Sequence, residues 1–75
     1  MRLVDLHPEW SEGALVFDCP MCPGRKITVR NHAISHRDDF ERVTIVPSVR
    51  GTHHGPGRPC GFHANIVDGE VVPAQ

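Results

Sequence analysis

Four side chains in this 75-residue chain have the types and spacing to hold a soft metal ion: Cys19, Cys22, Cys60 and His63. They fall in two pairs, Cys19-Pro20-Met21-Cys22 and Cys60-Gly61-Phe62-His63, each with two residues between its members. That spacing lets one tight turn aim two ligands at a single point, and two such turns complete a tetrahedral zinc shell. The pairs use all three cysteines in the chain. A shell closed by four protein ligands predicts a structural zinc, because catalysis at zinc needs an open position. His53 and His54, just ahead of Cys60, are alternative ligands for the place given to His63. His7, His32 and His36 are more remote candidates.

The same histidines raise the question of an enzyme. A metal-dependent hydrolase would use His53 or His54 to activate water beside the ion. Such sites draw further ligands from a helix after the hairpin, and no helical pattern follows here. Ser11, Ser35 and Ser48 sit in no elbow or triad context. The expectation is a chain that is not an enzyme.

The elements that must carry the two pairs read as β-structure. Arg2–Leu6 reads as a first strand, and 7–13 as a loop punctuated by Pro8 and Gly13, with Trp10 folding back as a lid. Ala14–Asp18 is a second strand that puts Leu15, Phe17 and Cys19 on one face. Lys26–Arg30 alternates with Ile27 and Val29 inward, so 14–30 forms a hairpin with the first cysteine pair at its tip. Segment 31–41 has no clear period. Arg42–Val46 is rich in β-branched residues, and Pro47 ends that strand or places it on an edge. Residues 50–59 read as a long flexible loop. Phe62–Asp68 is a strand with Phe62, Ala64 and Ile66 on one side, Asp68-Gly69 is a two-residue hairpin turn, and Glu70–Val72 returns before a frayed end.

The predicted fold class is therefore a small β-rich domain, all-β or mostly β and zinc-ribbon-like. Two or more β-hairpins surround one structural zinc. Residues 1–75 form a single domain with a ribbon core at about 14–72. Length supports this: a chain so short has a marginal hydrophobic core and commonly relies on a metal, disulfides or association. Seven prolines and seven glycines point to turns rather than long helices.

Composition narrows the partners. An odd cysteine count argues against a closed disulfide framework and suits a reducing cytoplasm. No apolar run is long enough to span a membrane, and Asp5, His7, Glu9 and Glu12 interrupt any secretory core near the start. The net charge of −1 makes no general attractor for nucleic acid. Charge is uneven, however: Arg25, Lys26, Arg30, Arg42 and Arg50, with Arg58 further on, are candidate nucleic-acid contacts. The competing reading is a solvated mixed surface. A protein partner, met through a strand edge or the apolar residues near Trp10, fits a monomer or weak dimer of this size.

The motifs also resemble a family. The runs Phe17-Asp18-Cys19-Pro20-Met21-Cys22, Lys26-Ile27-Thr28-Val29 and Val43-Thr44-Ile45-Val46-Pro47-Ser48-Val49, followed by Cys60 through Val71, are similar to small uncharacterised zinc-ribbon-like proteins of phages, prophages and some bacterial operons. The shared pattern is a Cys-Pro-x-Cys turn, a T-x-x-P-S strand end and a C-x-x-H-x-x-I-x-x-G segment. The resemblance implies a zinc-ribbon-like fold with Cys19, Cys22, Cys60 and His63 as ligands. It also implies a mobile-element origin, with the host cytoplasm as location if phage-encoded. It brings no established activity. Many members carry a tryptophan ahead of the T-x-x-P-S strand, where this chain has Ile34, Ser35 and Phe40. The expected role is a protein-interaction adaptor. A nucleic-acid-binding ribbon is the first alternative and the metal-dependent hydrolase the second.

Overall fold

Apolar alternation builds the first sheet. The computed structural model describes residues 1–51 and 61–74, together with the backbone of 54–55 and 58–59. Strand β1 (Glu9–Ser11), β2 (Ala14–Asp18) and β3 (Lys26–Val29) pair antiparallel in the order β1-β2-β3. Leu15, Phe17 and Cys19 are all buried, as are Ile27 and Val29. Period-two alternation puts each set on one face, so the expected hairpin forms as the sequence indicates.

Two parts of the first segment differ from expectation. Residues 7–13 are not simply a loop. Glu12 (φ 51°) and Gly13 (φ 82°) make a two-residue turn that returns β1 onto β2, with Ser11 opposite Ala14. Successive left-handed residues match the twist of the strands they join. Nor is Arg2–Leu6 a strand: Leu3–Leu6 is a single 3-10 turn. The physical reason is burial. Leu3 and Leu6 are both buried. A strand would send them to opposite faces, whereas residues three apart in a 3-10 turn lie on the same side. The residues before it do pair: Val71 N–H donates to Met1 O at 2.7 Å, and Leu3 N–H donates to Gly69 O at 2.7 Å.

The second sheet has the order β4-β5-β8-β9, from β4 (Ala33–Ser35), β5 (Thr44–Arg50), β8 (His63–Val67) and β9 (Glu70–Pro73). Segment 31–41, unassigned from the sequence, thus supplies an edge strand. Pro47 does not end its strand. Strand β5 runs on to Arg50 in the middle of the sheet. The register explains how. Ile45 faces Ile66 but Val49 faces Ala64, so β5 carries two surplus residues over that stretch. Pro47 lies in the surplus, past the last β4 pair at Val46, where its missing N–H costs the ladder nothing.

Asp68 (φ 48°) and Gly69 (φ 75°) make the expected turn between β8 and β9. Gly69 is required there twice over. Its backbone is left-handed, and a Cβ would lie 2.4 Å from Glu41 O. Its N–H donates to Val43 O at 2.9 Å. The end does not fray at Pro73, because Ala74 N–H donates to His63 O at 2.9 Å. Part of the expected loop over 50–59 is also paired: β6 (His54–Gly55) and β7 (Arg58–Pro59) form a two-stranded ribbon.

The two sheets share one core, and among the described residues no polar side chain is buried in it. Phe17 of β2 and Phe62, just before β8, meet edge to face with centroids 6.0 Å apart. Trp10 is no lid on this core. It is 36 % exposed and stacks on Phe40 at 5.8 Å. Its Nε1 donates to Arg37 O at 3.2 Å, and the Arg37 guanidinium lies 5.0 Å from the ring centre.

Candidate functional site

The first cysteine pair sits in a turn whose sequence explains its shape. Cys22-Pro23-Gly24-Arg25 is closed by Arg25 N–H donating to Cys22 O at 3.0 Å. Proline at the second position and a left-handed glycine at the third (Gly24, φ 81°) are the residues a type II turn needs. Cys19 N–H donates to Arg25 O at 2.9 Å, which continues the β2–β3 ladder to the mouth of the turn. Cys19 is buried at the end of the Phe17 face, and Cys22 is half-buried and packs against the core.

The described residues after Cys60 approach the first pair. Gly61 lies against this turn, and a Cβ built on it would be 3.7 Å from Met21 Cε. Pro20 and Met21 line one side of a cavity of about 400 Å³, and Gly61, Phe62, His63 and Ala64 line another. Cys60 lies outside the described residues, as does the alternative ligand His53, and His54 is described only as backbone in β6.

His63 is half-buried at the start of β8, on the side opposite Ala64 and Ile66. Its Nε2 lies 2.8 Å from Ser48 Oγ. Among the described residues, no group of three or more His, Cys, Asp or Glu side chains could hold a metal ion, so Cys19, Cys22 and His63 are not gathered as a trio. The donor chemistry fits zinc in one further respect. A ligating histidine ordinarily gives its other ring N–H to an oxygen, and Ser48 Oγ is placed to accept from Nε2, which leaves Nδ1 for a metal. A hydroxyl on an imidazole is also half of a nucleophile–base pair. No carboxylate bonds to His63 among the described residues, so no third member orients it as a base.

Two of the other histidines, His32 and His7, bond elsewhere. His32 bridges two elements, with Nδ1 2.6 Å from Arg30 O and Nε2 3.2 Å from Ser48 O. His7 Nδ1 lies 2.9 Å from Asp18 Oδ2, and Lys26 Nζ donates to Asp18 Oδ1 at 2.7 Å. The Lys26 hydrogen bond, followed by that of His7, holds the Asp18 carboxyl below its ordinary value. The Asp18 hydrogen bond raises Lys26 in turn.

Among the described residues the basic candidates fall on separate elements. Lys26 lies exposed in β3 with Arg25 and Arg30 exposed at its two ends, Arg42 precedes β5, and Arg50 ends it opposite His63. Arg58 is described only as backbone in β7. Sequence reasoning missed the Ser48–His63 contact, for which no local signal exists. It depends on the two surplus residues of β5, which set where Ser48 falls along β8.

Comparison with protein-family models, curated proteins and solved structures found no match. The chain is small and β-rich, with two larger antiparallel sheets and a two-stranded ribbon among its described residues. No helix among the described residues is long and apolar enough to cross a membrane.

Proposed function

We propose that this chain is a small zinc-binding module that serves as a protein-interaction adaptor. The zinc is structural and is held by Cys19, Cys22 and Cys60, with His63 as the fourth ligand and His53 or His54 as its alternatives. In this reading His63 ligates through Nδ1 while Nε2–H is donated to Ser48 Oγ. The observation that carries it is the contact between Met21, inside the first cysteine pair, and Gly61, which follows Cys60 in the chain. The zinc-ribbon-like class, a phage or other mobile-element origin and a cytoplasmic location belong to the same proposal. They rest on the motif resemblance and on the thiols, which suit a reducing compartment.

The spread of basic side chains over separate elements supports a protein partner over nucleic acid, whose backbone favours a continuous basic stripe. Metal analysis of the purified chain tests the zinc directly. The expected result is one equivalent of zinc, and removal by a chelator collapses the amide spectrum. A well-dispersed spectrum from metal-free protein overturns the structural role. Affinity capture from host lysate with the zinc-loaded chain tests the adaptor role. A salt-dependent gel shift with DNA or RNA, without protein capture, would replace it with the nucleic-acid reading.

A further inference from the structure

We infer that the outer edge of β3 is a docking edge for an acidic, extended peptide segment of another protein, which adds to the first sheet as a fourth strand. The inference deepens the adaptor reading, on which it rests, and requires nothing of the metal.

Hydrogen-bond parity identifies the edge. Cys19 N–H donates to Arg25 O, so on this side of β2 the bonding residues are 15, 17 and 19, and on β3 they are 25, 27 and 29. The Glu12–Gly13 turn gives the same parity from the other side, since Ala14 and Val16 turn toward β1. The backbone N–H and C=O groups of Lys26 and Thr28 therefore point away from the sheet. Among the described residues, none takes up either pair. Left-handed residues bound the edge at Gly24 and Asn31, and the four-residue strand Lys26–Val29 lies between them.

The other edges of the two larger sheets are closed or short. Met1 and Leu3 pair with β9, and Pro73 ends that edge. Strand β1 has three residues, and its Trp10 is tied to Arg37 and Phe40. Strand β4 has three residues between left-handed Asn31 and His36. An unpaired edge is a template for another strand.

Charge selects the occupant. Lys26 and Arg30 are exposed and project from the same side of β3, and Arg25 is exposed beside them. Asp18 answers Lys26, but neither Arg25 nor Arg30 has a carboxylate partner among the described residues. A second copy of this chain, paired antiparallel about Thr28, would set Lys26 opposite Arg30 of that copy. Like charges facing each other across a ladder repel. A strand with glutamate or aspartate at those two places is favoured instead.

The test uses the full chain as purified and a fluorescein-labelled peptide alternating glutamate and valine, read by fluorescence anisotropy. A peptide alternating lysine and valine, and the glutamate peptide N-methylated at every second amide, are the controls. The glutamate peptide is expected to bind at least tenfold more tightly than either control. The Thr28→Pro variant, which removes an N–H that β2 does not use, is expected to weaken binding at least tenfold. In the chain alone the Lys26 and Thr28 amides should exchange rapidly with solvent, and the peptide should slow them. Should Thr28→Pro fail to fold, the N-methylated peptide and the amide readout still decide. Equal binding of the acidic and basic peptides, unchanged binding after N-methylation, or protection of those amides by self-association overturns the inference. Capture of a protein partner at another surface overturns it also and leaves the adaptor reading standing.

Discussion

The two ends of the core are built by different kinds of information. In the first sheet, neighbours in sequence are neighbours in space: β1, β2 and β3 follow one another through the Glu12-Gly13 turn and the cysteine turn. In the second sheet, β5 pairs with β8 across the stretch that contains β6, β7 and Cys60, and its ladder slips by two residues on the way. A hairpin needs only the right turn and the right alternation. A long-range ladder needs a register, and nothing local in β5 specifies one. The candidate site lies where these two halves meet, at Phe17 against Phe62 and Met21 against Gly61.

The largest effect is expected from unlinking the two halves. If the proposed zinc is bound, its removal, or Cys22→Ser or Cys60→Ser, should leave an unfolded or aggregating chain, because a structural zinc contributes on the order of 10 kcal/mol to the small domains that depend on one. Circular dichroism and amide dispersion check this. A folded Cys60→Ser chain would show that the sheets hold together without the ion. Phe62→Ala should come next. It removes a buried ring from the joint and is expected to cost about 3–5 kcal/mol, read as a lower denaturant midpoint.

Two glycines sharpen the contrast further. Both Gly24 and Gly69 have positive φ, but a Cβ meets nothing within 4 Å at Gly24 and meets Glu41 O at 2.4 Å at Gly69. Gly24→Ala should cost about 1–2 kcal/mol for the backbone alone. Gly69→Ala should cost more, since the Glu41 backbone must move as well. Equal effects in chemical denaturation would mean that the 40–42 segment yields freely. Ser48→Ala is a smaller change. It should lower stability by about 1 kcal/mol through the lost His63 contact. If His63 is a ligand, zinc affinity should fall by about 10-fold to 100-fold, measured by chelator competition.

The smallest effect is expected from pH at the exposed Asp18 cluster. The Asp18 carboxyl is held below its ordinary value by Lys26 and then His7, so the folded state binds its proton less readily than the unfolded chain. Its contribution is complete above the unfolded value and is lost as pH falls through the lowered one. Lys26 has the opposite sign. Its raised value gives a contribution present below the unfolded value and lost as pH rises through the folded one. Asp18→Asn should flatten the acid limb of a stability–pH profile only slightly, because the group is exposed. An unchanged profile would show that these hydrogen bonds contribute nothing measurable.

Much of the first half was legible because its signals are local. The hairpin over 14–30 with the first cysteine pair at its tip was readable from alternation, and Leu15, Phe17 and Cys19 announce a buried face. Asp68-Gly69 announced its hairpin for the same reason. The 3-10 turn at Leu3–Leu6 was not legible, because the apolar run that precedes Pro8 satisfies a strand as readily as a turn. Only the burial of Leu3 and Leu6 on one side decides between them. Pro47 misled for a related reason. A proline is read as an interruption unless it falls in a bulge, and the bulge at Pro47 is visible only in how β5 registers against β8.

Local sequence was enough to show that this chain is β-rich, that its first cysteine pair sits in a tight turn, and which faces of β2, β3 and β8 turn to the core. Turn chemistry and period-two alternation act over a few residues and leave little choice. Tertiary structure decided what those elements meet: that Ser48 reaches His63, that Gly61 comes to rest on Met21, and that no described residue pairs with the outer edge of β3 while Met1–Leu3 pairs along Gly69–Val71. Those outcomes depend on how two sheets are packed and registered, and register is a property of pairs of strands that no single stretch of sequence contains.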